Sequence, residues 1–276
     1  MSEASDFDVV LFDLDGVLYI GPQAVPAAIE AVTSLLDRGI RCAYVTNNAS
    51  RTPVQVADHL RSLGLPCTTD DVITSSQAGA TLVAERVAAG QVLAVGGRGV
   101  AAALEERGFS AVSTFDEDVV AVMQGYGPEV SWGDLAEAVF AVRAGRPWIA
   151  TNLDQTFPTP RGQAPGNGAL VGVVASVVGR PPDAVAGKPE PPLLREALRR
   201  TGGTRPLMVG DRLDTDIAAA SRVDMPSLLV LTGVCDAAAA REATGEERPT
   251  YVARDLRALL PGRALEPWPG PAGDGR

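Results

Sequence analysis

The chain is poor in the residues that run nucleophilic triads and zinc sites, with one histidine and three cysteines among 276 residues. Cys42, Cys67 and Cys235 stand far apart with no CxxC pair, so neither a disulfide framework nor a structural zinc site is supported. His59 falls inside an amphipathic stretch, residues 54–63, where a place on a helix surface accounts for it. A serine–histidine–acid triad could draw only on that histidine, and no Gly-x-Ser-x-Gly elbow accompanies it. Basic runs are also absent, and the formal charge is −10. That balance argues against electrostatic binding to nucleic acid or to an anionic membrane surface. No apolar run is long enough to span a bilayer. Residues 1–6 are acidic and lack the charge pattern of a signal peptide, so a cytoplasmic location is the expectation.

What is abundant is Ala and Val, within a hydrophobic fraction of 46% that is ample for a globular core. The length suggests two domains, or one domain with a large insertion. Val9 to Phe12 reads as a strand buried on both faces, followed by Asp13 and Asp15. Alternation along a continued strand would point both carboxylates to one side, and Gly16 would let the chain turn away. A helix over 26–38, a strand over 40–45, a helix over 53–63, a strand over 72–75 and a helix over 77–88 follow. This alternation predicts a doubly wound parallel sheet of the α/β class.

Near Gly90 the pattern begins again, with a strand then a glycine turn over 92–97, a strand over 119–123, a strand end over 148–152, and helices over 100–106, 131–144 and 169–178. Residues 157–168 are rich in Pro and Gly and read as a loop. Residues 89–182 are therefore expected to form a second α/β unit inserted into the first, which comprises 1–88 and 183–262. The first unit resumes with a helix over 193–201, strands over 206–210 and 227–232, and a strand–helix pair over 250–260. A mobile tail is expected over 263–276.

Four polar clusters follow strands or open helices of the first unit: Asp13/Asp15, Thr46/Asn47/Asn48, Lys188, and Asp211/Asp214/Asp216. Each alone has an ordinary structural reading as a capped turn, a solvated lysine or a helix start. Together they read differently. Several carboxylates form a hard oxygen set suited to Mg²⁺ rather than zinc. Thr46 and the backbone N–H groups after it suit a phosphoryl oxygen. Lys188 can neutralise phosphate or an anionic nucleophile. The set suggests in-line phosphoryl transfer to a carboxylate.

The pieces Asp13-Leu14-Asp15-Gly16-Val17-Leu18, Thr46-Asn47-Asn48-Ala49-Ser50-Arg51, Gly187-Lys188-Pro189 and Gly210-Asp211-Arg212-Leu213-Asp214-Thr215-Asp216 resemble the motifs of haloacid dehalogenase (HAD) superfamily phosphatases. The subgroup is subfamily IIA, the NagD-like, p-nitrophenylphosphatase, phosphoglycolate and glycerol 3-phosphate phosphatase group. Ala150-Thr151-Asn152-Leu153-Asp154 and Pro165-Gly166-Asn167-Gly168 resemble features of its large C2-type α/β cap. The resemblance implies a Rossmann-like HAD core. It implies Asp13 as nucleophile, forming an aspartyl-phosphate, and Asp15 as general acid and base. It implies Mg²⁺ held by Asp13, the Asp15 carbonyl and Asp211, with Asp216 supporting the metal's waters. Thr46 and Asn47 would hold the phosphoryl oxygens, and Lys188 would pair with Asp13 and the phosphate. The implied partner is a small phosphorylated metabolite: glycerol 3-phosphate, phosphoglycolate, a sugar phosphate, a nucleotide or pyridoxal phosphate. Residues 124–132 and 153–168 are candidates for leaving-group contacts. A homodimer through the cap is left open. So are a phosphomutase and a non-catalytic phosphate binder on the same fold, although a binder has no need of both Asp13 and Asp15.

Overall fold

The computed structural model describes residues 2–159 and 161–270. The chain divides into two compact units: Met1–Val45, Val56–Ile73 and Lys188–Arg276 form the first, and Thr46–Gln55 and Thr74–Gly187 the second. The second unit is wider than the segment 89–182, since it takes in the helix Ser75–Ala84 and the loop that follows the strand Arg41–Thr46.

In the first unit every residue of the strand Val9–Phe12 is buried. Such a run suits a central strand covered on both faces. The six-stranded sheet runs in the order Tyr251–Ala253, Ser227–Val230, Pro206–Gly210, Val9–Phe12, Arg41–Thr46, Val72–Thr74. Val9–Phe12 pairs in parallel with both neighbours, Phe12 lying opposite Val209 on one side and Tyr44 on the other. That register brings the carboxyl ends of three strands level, where open α/β sheets place their ligands. The helix Ala28–Asp37 buries Ala28, Ala31, Val32 and Leu35 on one stripe, and full burial of a side chain such as Leu35 contributes about 1.5–3 kcal/mol.

Two parts of this unit differ from the sequence reading. The strand does not continue through Asp15. The Asp13 N–H still bonds to the Val209 carbonyl, at 2.9 Å, but the Leu14 carbonyl then accepts from Val17, Leu18 and Tyr19. The chain therefore turns at Leu14, leaving Asp13 half-buried and Asp15 exposed. The expected tail is held over its first part. Leu265 donates to the Ser2 carbonyl at 2.7 Å, and Trp268 donates its backbone N–H to the Thr250 carbonyl and its indole N–H to the Ala240 carbonyl. The Arg248 guanidinium lies 4.6 Å from the Trp268 ring centre, a cation–π geometry. Pro and Gly signalled a loose end, while the apolar anchors Leu265 and Trp268 carried the opposite signal. The remainder of the expected tail, 271–276, lies outside the described residues.

The second unit holds a five-stranded parallel sheet in the order Ala184–Val185, Trp148–Ala150, Val119–Gln124, Gln91–Val95, Ser110–Val112. Helices Arg98–Glu106, Trp132–Arg143 and Asn167–Val178 accompany it. The helix Ser75–Ala84 starts two residues before the predicted Gln77 because of a capping box. The Thr74 hydroxyl accepts from the Gln77 N–H, and the Gln77 side chain accepts from the Thr74 N–H. The segment expected as a loop contains an antiparallel hairpin, Thr156–Thr159 with Gly162–Pro165. Its prolines and Gly162, read as breakers, are tolerated in a two-stranded ribbon with no central strand.

Candidate active site

Asp211 follows the strand Pro206–Gly210, the neighbour of the strand that ends before Asp13. Its Oδ2 accepts the Val234 N–H at 2.7 Å, and its backbone carbonyl accepts from Cys235. Two glycines make room for this carboxylate. A Cβ on Gly16, whose φ is +86°, would stand 2.5 Å from Asp211 Oδ2, and one on Gly233 would stand 2.0 Å from it. Both distances are far inside van der Waals contact. The Thr232 hydroxyl fastens the same turn by donating to the Gly16 carbonyl at 2.6 Å.

Asp216 sits in the wide helical turn Leu213–Ile217, a form of helix common at functional sites. Its Oδ2 accepts the N–H groups of Asp211 and Arg212, each at 3.2 Å. Its Oδ1 accepts from Lys188 Nζ at 2.7 Å. Lys188 is 2% exposed and donates as well to Asp13 Oδ1 at 2.5 Å and to the Val45 carbonyl at 3.3 Å. One buried ammonium thus ties the nucleophile candidate to the helical turn that bears Asp216. Burial works against the charge on Lys188, but Asp13 and Asp216 outweigh it and raise its pKa, so the lysine stays protonated.

The carboxylates are under the opposite pressure. Burial pushes Asp13 well above the usual carboxylate range; Lys188 pulls it down, and Asp216 and Asp211 push it further up. Burial, then the charge of Asp216, pushes Asp211 up to about 6 against the pull of the Val234 N–H and Lys188. Oxygens of Asp13, Asp211 and Asp216 all lie within 4.8 Å of one another. Three carboxylates around one ammonium leave a surplus of two negative charges, which a divalent cation would offset. Asp211 Oδ1 is buried without a hydrogen-bond partner among the described residues, an arrangement that is costly for an acceptor left bare. The residues therefore fit a hard divalent cation bound by oxygen.

Asp214 does not join them. It is 61% exposed and forms a two-bond pair with Arg212, at 3.1 and 2.8 Å, which holds its pKa below the ordinary value. Asp15 is exposed, and its Oδ2 accepts from the Tyr19 hydroxyl at 3.3 Å. The buried Tyr19 ring packs edge-on against His59, with ring centres 4.9 Å apart. Tyr19, Val45, Thr232, Gly233 and Val234 are contributors that sequence reasoning passed over. The only available signal was a glycine directly after the predicted strand over 227–232, at Gly233. Thr46 and Asn47 are counted with the second unit, and the hydrogen bonds described for them lie within it.

The chain as a whole has known relatives. Residues 10–110 match the haloacid dehalogenase-like hydrolase family model, and residues 185–259 match a HAD-hydrolase-like model. A D-glycerol 3-phosphate phosphatase of Mycobacterium tuberculosis is 43% identical over 273 residues, which is 98% of this chain and 76% of the relative. The chain belongs to the haloacid dehalogenase-like hydrolase family. A 5'-nucleotidase of Bacillus subtilis is 38% identical, over 91% of this chain and 96% of its own. Both relatives belong to subfamily IIA, as does this chain. A crystal structure of the glycerol phosphate phosphatase of M. tuberculosis in complex with magnesium superposes with a TM-score of 0.89. It is 44% identical, over 94% of this chain and 79% of that one. The fold is the Rossmann-like α/β fold of this family.

Proposed function

We propose that the chain is a Mg²⁺-dependent phosphatase of a small phosphate monoester that works in the cytoplasm through an aspartyl-phosphate. The observation that carries the reading is the Lys188 bridge, 2.5 Å to Asp13 and 2.7 Å to Asp216, beside the unpartnered Asp211 Oδ1. Asp13, the Asp15 carbonyl and Asp211 would hold the cation, with Asp216 supporting its waters. When bound, it supplies positive charge that offsets the dianionic ester beside these carboxylates.

Asp13 attacks phosphorus in line with the leaving oxygen, and the ester P–O bond breaks as the new one forms. Lys188 holds the attacking oxygen in place and shares the charge of the phosphoryl group. Asp15, exposed in the turn after Asp13, gives its proton to the leaving alkoxide. It then takes a proton from water as that water attacks phosphorus and releases Asp13 and inorganic phosphate. Thr46 and Asn47 hold the phosphoryl oxygens. Glycerol 3-phosphate leads the candidate substrates, because a relative 43% identical over 98% of this chain is a D-glycerol 3-phosphate phosphatase.

The test is phosphate release from a panel of esters with Mg²⁺, led by glycerol 3-phosphate. Release that stops with excess chelator and returns with Mg²⁺ is expected. Undiminished turnover under chelator would defeat the metal assignment, and binding of esters without release would favour a non-catalytic phosphate binder. The reading includes a homodimer through the insertion. Phe140, Val173 and Val177 leave apolar surface, 47–53% exposed, on two helices joined by an Arg143–Val177 hydrogen bond. A monomer mass by sedimentation would remove that part alone.

A further inference from the structure

Two motifs of the insertion, residues 150–154 and 165–168, have no part in the chemistry above. Within the second unit they form a chain of amide bonds that ends on the loop following Thr46. The Asn167 side-chain amide donates to the carbonyls of Asn152, at 2.7 Å, and Gln124, at 3.3 Å. The Asn152 amide donates to the Asn47 carbonyl at 2.7 Å, and its Oδ1 accepts the Asp154 N–H at 3.1 Å. Asp154 Oδ2 accepts from the Asn47 amide at 3.1 Å, and the Gly168 N–H donates to the Asp154 carbonyl at 2.8 Å. Asn152 and Asn167 are 4% and 1% exposed. The Asn167 bonds are therefore made away from water, where losing one partner is costly, and the bonds to Asn47 are partly buried.

The other carbonyls of the loop are engaged by the same unit. The Asn47 carbonyl also accepts from the Ser75 hydroxyl at 2.6 Å, the Ala49 carbonyl from Ser76 at 2.9 Å, and the Ser50 carbonyl from the Gly99 N–H at 3.1 Å. A backbone loop binds phosphate through its N–H groups, and a carbonyl turned toward the anion would repel it. Occupying these carbonyls with donors fixes the peptide planes so that their lone pairs are committed elsewhere.

We infer that Asp154 and Asn152 are positioning residues for the phosphate-binding loop: they hold Asn47 by its side chain and its carbonyl, so that the insertion sets phosphate affinity directly. The inference rests on the reading of Asn47 as a phosphate ligand given above. Asp154 is a positioning residue here and is assigned no contact with the reacting atoms.

The readout is the inhibition constant of inorganic phosphate in the Mg²⁺-loaded full chain, with melting temperature measured alongside. Asp154→Ala removes one charge-assisted bond and is expected to weaken phosphate about five- to tenfold with little change in melting temperature. Asp154→Asn keeps an acceptor for the Asn47 amide and should recover most of that loss. Asn152→Ala should weaken phosphate as well. If it does not fold, the Asp154 pair decides alone. Phosphate inhibition unchanged in Asp154→Ala, while KM for the metabolite rises, would overturn the inference and make Asp154 a leaving-group contact. Asn47→Ala removes the side chain that Asp154 holds and keeps the backbone N–H. If it leaves phosphate inhibition unchanged, the inference fails while the reading of Asn47 as a backbone ligand stands. If it weakens phosphate and Asp154→Ala does not, only the present inference fails.

Discussion

Asp13 and Asp15 share a motif but occupy different environments, and that difference suits the separate roles proposed for them. Asp13 is 15% exposed and bridged to Lys188, which holds it still and pulls its carboxyl toward the ionised form against the burial that pushes its pKa up. Asp15 is exposed, with a long bond from the Tyr19 hydroxyl to its Oδ2 at 3.3 Å, so solvent and substrate can reach its carboxylate. Asp13→Asn is expected to abolish turnover even of p-nitrophenyl phosphate. Asp15→Asn should lower metabolite hydrolysis roughly 10²–10⁴-fold, because an alkoxide leaves poorly without a proton. Nitrophenolate leaves without one, so this variant should show a burst of up to one nitrophenolate per site, followed by a slow rate. Mass spectrometry of the trapped intermediate should find the phosphoryl group on Asp13. A label on another residue, or equal loss of the burst in both variants, would reverse the assignment. Asp211 adds a pH dependence with a definite sign. Its pKa is pushed up to about 6, against about 3.9 for an unperturbed aspartate. Between those values the native chain binds a proton that the unfolded chain does not, so metal-free stability falls as pH rises through this window. Mg²⁺ competes with that proton. The rise in melting temperature on adding Mg²⁺ is therefore expected to be larger near pH 7.5 than near pH 5. The opposite order would place the cation away from Asp211.

At the scale of the element, what was legible in the sequence depended on whether local pattern or tertiary partners decide the structure. The strand Pro206–Gly210 matches its predicted bounds because five apolar residues between Arg205 and Asp211 leave no other reading. The helix Pro192–Thr201 differs by one residue for a similar reason, since prolines precede it and Gly202 ends it at φ +64°. The hairpin over 156–165 was illegible because its strands are stabilised by each other and their composition is that of a loop. Asp15 was misplaced because nothing local marks where Val9–Phe12 stops. The stop comes from the Leu14 carbonyl collecting three N–H groups. The same division runs through the site. Asp13, Lys188, Asp211 and Asp216 were nameable from their motifs, whereas Val45 and Val234 contribute through backbone atoms, which any side chain could have carried. Asp214 shows the converse. It sits inside the motif, and only the Arg212 pair reveals that it faces elsewhere.

For the whole molecule, the question is whether the insertion is a detachable specificity element. Read from sequence, 89–182 is a self-contained βα pattern whose replacement by a short linker should impair metabolite turnover more than that of an activated ester such as p-nitrophenyl phosphate. The compact unit has other limits. It includes Thr74–Gly187 together with Thr46–Gln55. The helix Ser75–Ala84 is packed into it, with Gly79 so close to Met123 that a Cβ would stand 2.9 Å from the sulfur. Removing 89–182 would strip Met123 from that helix. It would also remove Gly99, Asn152 and Asp154 from the carbonyls and side chain of the loop that begins at Thr46. The deletion is thus expected to lose p-nitrophenyl phosphate turnover along with metabolite turnover, and to bind inorganic phosphate weakly. A folded deletion, checked by near-ultraviolet circular dichroism, that kept nitrophenyl turnover and phosphate inhibition would show that the loop supports itself. A milder change separates the two jobs. Leu153 is 43% exposed between Asn152 and Asp154, and its side chain is in none of the hydrogen bonds described. Leu153→Ala should therefore leave phosphate inhibition within about twofold, whatever it does to preference among esters. The two variants together test whether substrate choice and phosphate affinity come from the same unit through different residues.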